Sequence, residues 1–248
     1  MDNLEKCLKV TAAFEGGGYD NVSGNFDDMG ISAGVLQWCI GQGSLQAKIL
    51  KPFLGKHGSI DALKIFPDKV DFLVNSSNSA GVSYAASKMH VKVRISLFKS
   101  KTVLKEEWKV AWKKFMTLPE VIELQKLACQ EVLKKALDLR AAWGMESDRA
   151  LQWFFDIITQ NGSLKGVTKP AYDLAAARKV IMKVNPVCRK EWEKIDLAHP
   201  DRKENVILLI ASDKRAQLSN SRWYDDVLSR KGTIALGVGV VHGSKVVI

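Results

Sequence analysis

Two carboxyl positions bracket a polar turn region early in the chain: Glu15, and the Asp27-Asp28 pair twelve and thirteen residues later. Hydrolysis of a glycosidic bond needs such a set, one protonated acid for the leaving oxygen and one ionised group that activates water or attacks the sugar. Glu15 follows Phe14 on a helical face, where desolvation raises a carboxyl pKa, whereas Asp27 in a polar turn keeps its ordinary acidity. That division makes Glu15 the acid and Asp27 the base. The same spacing also fits a plainer arrangement, a carboxylate at a loose helix end followed by an acidic turn.

The elements around these residues follow from periodicity. Leu4, Cys7, Leu8, Thr11, Ala12 and Glu15 recur at the spacing of one helical face, and Gly16-Gly17-Gly18 ends that helix. Residues 19–32, rich in Gly, Asn, Asp and Ser, predict short strands and turns. From Ala33 the pattern is mostly helical: 33–54, 59–75, 104–115, 118–143, 147–161, 170–183, and 201–230 in pieces. The stripe of Val121, Leu124, Ala128, Val132, Ala136 and Leu139 predicts a long central helix over 118–143. Ser147 as N-cap and Asn161-Gly162 as stop bracket a helix that carries Trp153, Phe154, Phe155 and Asp156. Residues 88–98 alternate instead, with Lys92, Arg94 and Ser96 on one side and Val91, Val93, Ile95 and Leu97 on the other, as in a strand with a basic face. The Gly- and Val-rich tail, 234–248, reads as extended, and Gly237, Gly239 and Gly243 lack the spacing of a nucleotide fingerprint.

With 248 residues, 46% apolar and 26% charged, the chain can bury a sizeable core, and disordered or collagen-like classes are excluded. No linker divides it, so 1–248 is expected as a single mainly α (α+β) domain of two lobes. Cys7, Cys39, Cys129 and Cys188 form no C-x-x-C pair, and His57, His90, His199 and His242 lack ligand spacing; reduced thiols, no metal and no cofactor are expected. The formal net charge of +10 favours a polyanionic partner. Met1 leads straight into polar Asp2 and Asn3 without the pattern of a secretory signal, and the longest apolar run, Val206 to Ala211, is far below a membrane span. Synthesis in the cytoplasm, no membrane insertion and a monomer are the corresponding expectations.

Phe14-Glu15 followed by Asp27-Asp28-Met29-Gly30-Ile31-Ser32-Ala33-Gly34 resembles the catalytic signature of the lysozyme superfamily, especially its chitosanase branch: Glu, a spacer, then Asp-x-x-Gly-x-Thr/Ser-x-Gly. The continuation Val35-Leu36-Gln37-Trp38 and Gly41-Gln42-Gly43-Ser44-Leu45-Gln46 is similar to bacterial and phage peptidoglycan-hydrolase-like proteins of that group, with Cys39 where their pattern has Asn. Downstream, Phe155-Asp156 and Gln160-Asn161-Gly162 resemble a segment of the chitosanase core helix, whose buried Asp is tied to arginines that reach the catalytic Glu. The resemblance implies Glu15 as general acid, Asp27 as base and Ser32 as the hydroxyl that positions water. It implies Arg215 and Arg222 as partners of Asp156, and Asp28, Gln37, Trp38, Gln42, Gln160 and Asn161 as residues on the substrate.

The implied fold is lysozyme-like, two-lobed, with a small β-hairpin region beside the cleft. The implied activity is cleavage of β-1,4 bonds of peptidoglycan with inversion, the two carboxyl groups standing about 6.5–9.5 Å apart. Chitosan is the alternative substrate, but a basic enzyme repels that polycation. A non-catalytic basic module for cell wall or nucleic acid is the alternative of another class, although no zinc-finger, RNA-recognition or helix-turn-helix signature, and so no specific nucleic-acid partner, is read. Gly30-Ile31-Ser32-Ala33-Gly34 also fits the serine-hydrolase elbow, but no apolar strand precedes it. Without a signal, action on the wall requires lysis, injection or carriage on a phage particle. Trp38, Trp153 and Trp223 are candidates for stacking on sugars, although a Trp at helical spacing is more often core.

Overall fold

The structure, a computed structural model, describes residues 2–15, 17–24, 28–96 and 99–248, without the side chains of Glu15 and Lys99. It is mainly helical, with ten α-helices and seven short strands among the described residues. By contacts the chain divides into two compact units, Gly16–Cys129, and Met1–Glu15 together with Gln130–Ile248. No helix among the described residues is long and apolar enough to cross a membrane.

The unit Gly16–Cys129 begins with a three-stranded antiparallel sheet, β1 (Val22–Ser23), β2 (Ser32–Ala33) and β3 (Trp38–Cys39). Ser32 pairs with Ser23 on one side and Cys39 on the other. The helix expected over 33–54 therefore starts late, as a π-helical turn Gln46–Leu50 that runs into α2 (Lys51–His57). The reason lies at Gly34: its φ is +83°, and a Cβ there would meet Gln125, Met116 and Trp38 at 2.6–2.8 Å, so the chain turns where a helix would need to continue.

The helix expected over 59–75 is replaced by two 3-10 turns, Asp61–Leu63 and Asp71–Val74. Here carboxylates compete with the helix for backbone amides. Asp71 Oδ1 accepts from the amides of Ile60 (2.7 Å) and Asp61 (3.1 Å), while Asp61 Oδ1 accepts from those of Val70 (2.6 Å) and Asp71 (3.2 Å). Then come α3 (Asn78–Tyr84), capped by Ser77, the hairpin β4 (His90–Ser96) and β5 (Lys99–Leu104), α4 (Glu106–Met116), and the first half of α5 (Pro119–Ala142). Phe53, Phe66, Trp112 and Phe115 interlock edge to face, with Trp108 tilted against Phe66, as this unit's aromatic core.

In the other unit, α1 (Asn3–Glu15) packs against α6 (Asp148–Asn161). Ser147 caps α6 by accepting the Ala150 amide at 3.1 Å, and Gly162 ends it at φ 72°, both as the sequence predicts. The remaining elements are α7 (Leu174–Lys183), α8 (Pro186–Trp192), α9 (Lys203–Gln217), α10 (Tyr224–Leu236) and a C-terminal hairpin of β6 (Val238–Val241) and β7 (Ser244–Val247). Helices α9 and α10 pack along each other, and α10 also meets α6. Gly232 is obligatory in α10, because a Cβ there would enter the ring of Trp192.

Candidate functional site

Helix α6 holds Asp156 in a dry environment, 1% exposed, where an ionised carboxylate survives only with cations beside it. Two neighbours on α10 supply them. Arg230 donates to Asp156 Oδ1 from Nε (3.0 Å) and Nη2 (2.7 Å). Lys231 Nζ donates to Asp156 Oδ2, to the Asp156 carbonyl (3.2 Å) and to Gln160 Oε1 (2.7 Å). Gln160 can join because it stands four residues after Asp156 on the same face of α6. The guanidinium of Arg230 also lies over the ring of Phe14, 4.9 Å from its centroid, which ties the cluster to the last turn of α1. Glu15 is the next residue of that turn.

Asp156 and its two cations shift one another's acidity. Burial alone would raise the Asp156 pKa, but Arg230 and Lys231 outweigh it and hold the carboxyl below its usual range. Burial pushes Lys231 down to about 8; Asp156 acts against that shift, whereas Arg230 and Arg215 add to it. Arg215, on α9, is 2% exposed, and its Nε and Nη1 have no hydrogen-bond partner among the described residues. Burial lowers its pKa as well. Among the described residues, the Asp156 carboxylate thus meets Arg230 and Lys231 in contact, and the buried Arg215 acts on Lys231.

This pairing corrects the expectation that Arg215 and Arg222 hold Asp156. Arg222 is exposed on a 3-10 turn and stacks over Trp223 at 5.0 Å. The neighbouring Asp213 ties helices together instead, accepting from Lys183 (2.6 Å), Gln217 (2.8 Å) and the Tyr224 hydroxyl (2.6 Å). The sequence reading missed Arg230 and Lys231, whose signal is a pair of cations inside the otherwise uncharged run Val227 to Leu236.

In the other unit, Ser32 is buried at the centre of the sheet. It sits within an antiparallel strand and not on a strand-to-helix turn, so the geometry of a serine-hydrolase elbow is lacking. Gln125 of α5, fully buried and also missed, clamps the surrounding loops: its Oε1 accepts from the Val35 amide (3.0 Å), and its Nε2 donates to the carbonyls of Met116 (2.9 Å) and Tyr19 (3.3 Å). A glutamine on the stripe of Val121 and Ala128 is the signal that pointed to it. Gln37, at φ 53°, donates its amide to the carbonyls of Gly34 (2.9 Å) and Asn21 (3.3 Å), so it braces the turn between β2 and β3.

Trp38 is buried against Gly34 and Trp153 is wholly internal, donating to Ser212 Oγ at 2.9 Å; neither presents the open ring face that stacking on a sugar requires. Trp223 is 50% exposed, with Arg222 over one face of its ring. Asp28 (φ 60°) and Gln42 are exposed, and Asn161, at the end of α6, carries a buried Oδ1 without a partner among the described residues. The Cys39 amide is held by Ser44 Oγ at 2.9 Å. Asp27, Leu97 and the side chain of Glu15 lie outside what the structure describes. Among the described residues no group of three His, Cys, Asp or Glu side chains is placed to hold a metal ion.

No protein-family model, curated protein or solved structure matches this chain.

Proposed function

We propose that this chain is a glycoside hydrolase of the lysozyme and chitosanase type, with a lysozyme-like fold, that cleaves β-1,4 bonds of peptidoglycan with inversion. The observation that carries the reading is the buried Asp156, Arg230 and Lys231 cluster packed on Phe14. Buried ion clusters are poor devices for stability, because desolvation offsets most of the attraction. One whose cations stand beside the last turn of α1 has a clear chemical use there: it favours the carboxylate that Glu15 becomes on giving up its proton. The Glu and Asp-x-x-Gly-x-Ser motifs supply the rest of the argument.

In the proposed reaction Glu15 donates its proton to the glycosidic oxygen as the bond to the anomeric carbon breaks. Asp27 takes a proton from water, whose oxygen bonds to the same carbon from the opposite face, with Ser32 orienting that water. Inversion follows from single displacement. The net charge of +10 suits an anionic wall and disfavours polycationic chitosan. The enzyme reaches its substrate after lysis, injection or phage delivery.

Digestion of purified peptidoglycan, with mass spectrometry of the new reducing ends, tests the proposal. Muropeptides released by the native protein and absent with Glu15→Gln support it, with rates that fall as salt screens the attraction. Release that persists in Glu15→Gln, or efficient cleavage of chitosan alone, overturns it.

A further inference from the structure

The hairpin β4 and β5 carries side chains that the rest of the fold leaves in water. Beyond His90 every residue of β4 is exposed, on both faces, and Val91, Val93 and Ile95 are 44%, 43% and 55% accessible. The register sorts them. Val91 lies opposite Val103 and Val93 opposite Lys101 on one face; Lys92 lies opposite Thr102 and Arg94 opposite Ser100 on the other. Ile95 sits where the register shifts, between Arg94 and Ser96. A two-stranded hairpin whose first strand is uncovered beyond His90 is marginal in water, and a run of exposed aliphatic side chains marks a surface that meets something.

Charge identifies what it meets. From His90 to Leu104 the sequence holds Lys92, Arg94, Lys99 and Lys101 and no Asp or Glu, so the partner is anionic. The apolar residues then choose among anions. Sugars and single-stranded nucleic acid are gripped by aromatic stacking and polar side chains, which Val91, Val93 and Val103 do not offer. A bilayer takes aliphatic side chains into its acyl boundary while lysines reach for the phosphates above. Beside the hairpin, an open groove of about 420 Å³, whose lining includes Ser23, Lys101, Thr102 and Lys109 beside Val103 and Leu104, provides two cations and two hydroxyls of the kind that receive a phosphate headgroup. We propose that β4 and β5 form a peripheral docking surface for an anionic phospholipid bilayer.

Sedimentation with vesicles of phosphatidylcholine and phosphatidylglycerol, against phosphatidylcholine alone, reads this out. The native protein should pellet with the mixed vesicles only, and less as salt rises. Lys101→Gln, on the face of Val91 and Val93, should weaken binding about fivefold. Val91→Ser with Val93→Ser should weaken it about tenfold or more. An environment-sensitive fluorophore on Ser96→Cys should shift to the blue with mixed vesicles; the four native cysteines are buried and leave the label specific. Equal pelleting with both vesicles, or with neither, overturns the proposal. So does binding that the serine variant retains, which would be the attraction of any basic protein, or retention on sacculi or DNA without vesicle binding. Should the serine variant unfold, the fluorophore decides: no blue shift overturns the assignment.

Discussion

Arg230 Nη2 lies 2.7 Å from Asp156 Oδ1, with both side chains no more than 2% exposed. The two residues are 74 positions apart in sequence, so the contact joins α6 to α10 through the interior of their unit. Removing one partner of such a pair leaves an uncompensated buried charge.

Asp156→Asn should therefore cost about 3–5 kcal/mol, measured as a shift in the denaturant midpoint. If the cluster acts on Glu15, the variant also moves the alkaline limb of the pH–rate profile to lower pH, because the cations lose their counter-charge and favour the ionised acid more strongly. A stability loss with an unmoved profile would leave Asp156 a purely structural anchor.

The cluster gives stability a distinct dependence on pH. Asp156 titrates below its ordinary value in the folded state, so its contribution is present above the unfolded pKa, near 3.8, and is lost as pH falls through the depressed folded value. Lys231 titrates at about 8 when folded and 10.5 when unfolded. Between those values the unfolded chain binds the extra proton, so stability rises with pH, by at most about 1.4 kcal/mol per pH unit. Lys231→Met should remove that rise, as seen in urea midpoints across the interval.

Choosing between the adjacent aspartates separates the motif from a mere acidic turn. Asp27→Asn should abolish glycan cleavage and Asp28→Asn should reduce it modestly, since Asp28 is exposed and one residue out of the Asp-x-x-Gly-x-Ser register. Proton NMR of the first sugar anomer released by the native enzyme should show inversion.

Gln125 offers a test remote from any proposed proton transfer. Gln125→Leu keeps the bulk but orphans the Val35 amide and the carbonyl of Met116, at about 1–3 kcal/mol per buried group. The loops on either side of Ser32 lose their clamp, and activity should fall more steeply than the melting temperature alone accounts for.

Helices α1 and α6 were legible because their signals are local: a stripe at helical spacing, a serine cap, and glycine stops. The segments 33–54 and 59–75 were misread because their apolar residues keep a helical rhythm while Gly34 turns the chain and Asp61 and Asp71 capture the amides that a helix needs. The polar site was legible only in part. A buried Asp156 demanded a cation, but periodicity carries no information on which of several cations reaches across 74 residues of sequence, and Arg230 with Lys231 fills the place assigned to Arg215 and Arg222. Gln37 and Trp38 lie in the motif as expected, yet their contacts brace the turn that carries Ser32.

The reciprocal grip of Asp61 and Asp71 has a kinetic side. Each carboxylate fastens two amides of the other's segment, so the stretch from Ile60 to Asp71 opens as one unit or not at all, although it contains hardly any regular structure. Lys64 and Lys69 are exposed within it, but their flanking backbone cannot straighten into a protease groove until all four bonds release together. The clasp is also a fuse for acid: Ser59 and the two amides hold Asp71 ionised below the normal carboxyl range despite the opposing effect of burial, and protonation there undoes one half of the grip at a stroke. Deuterium uptake at Ile60, Asp61, Val70 and Asp71 would then rise in step, marking this loop as a separately melting element of its unit.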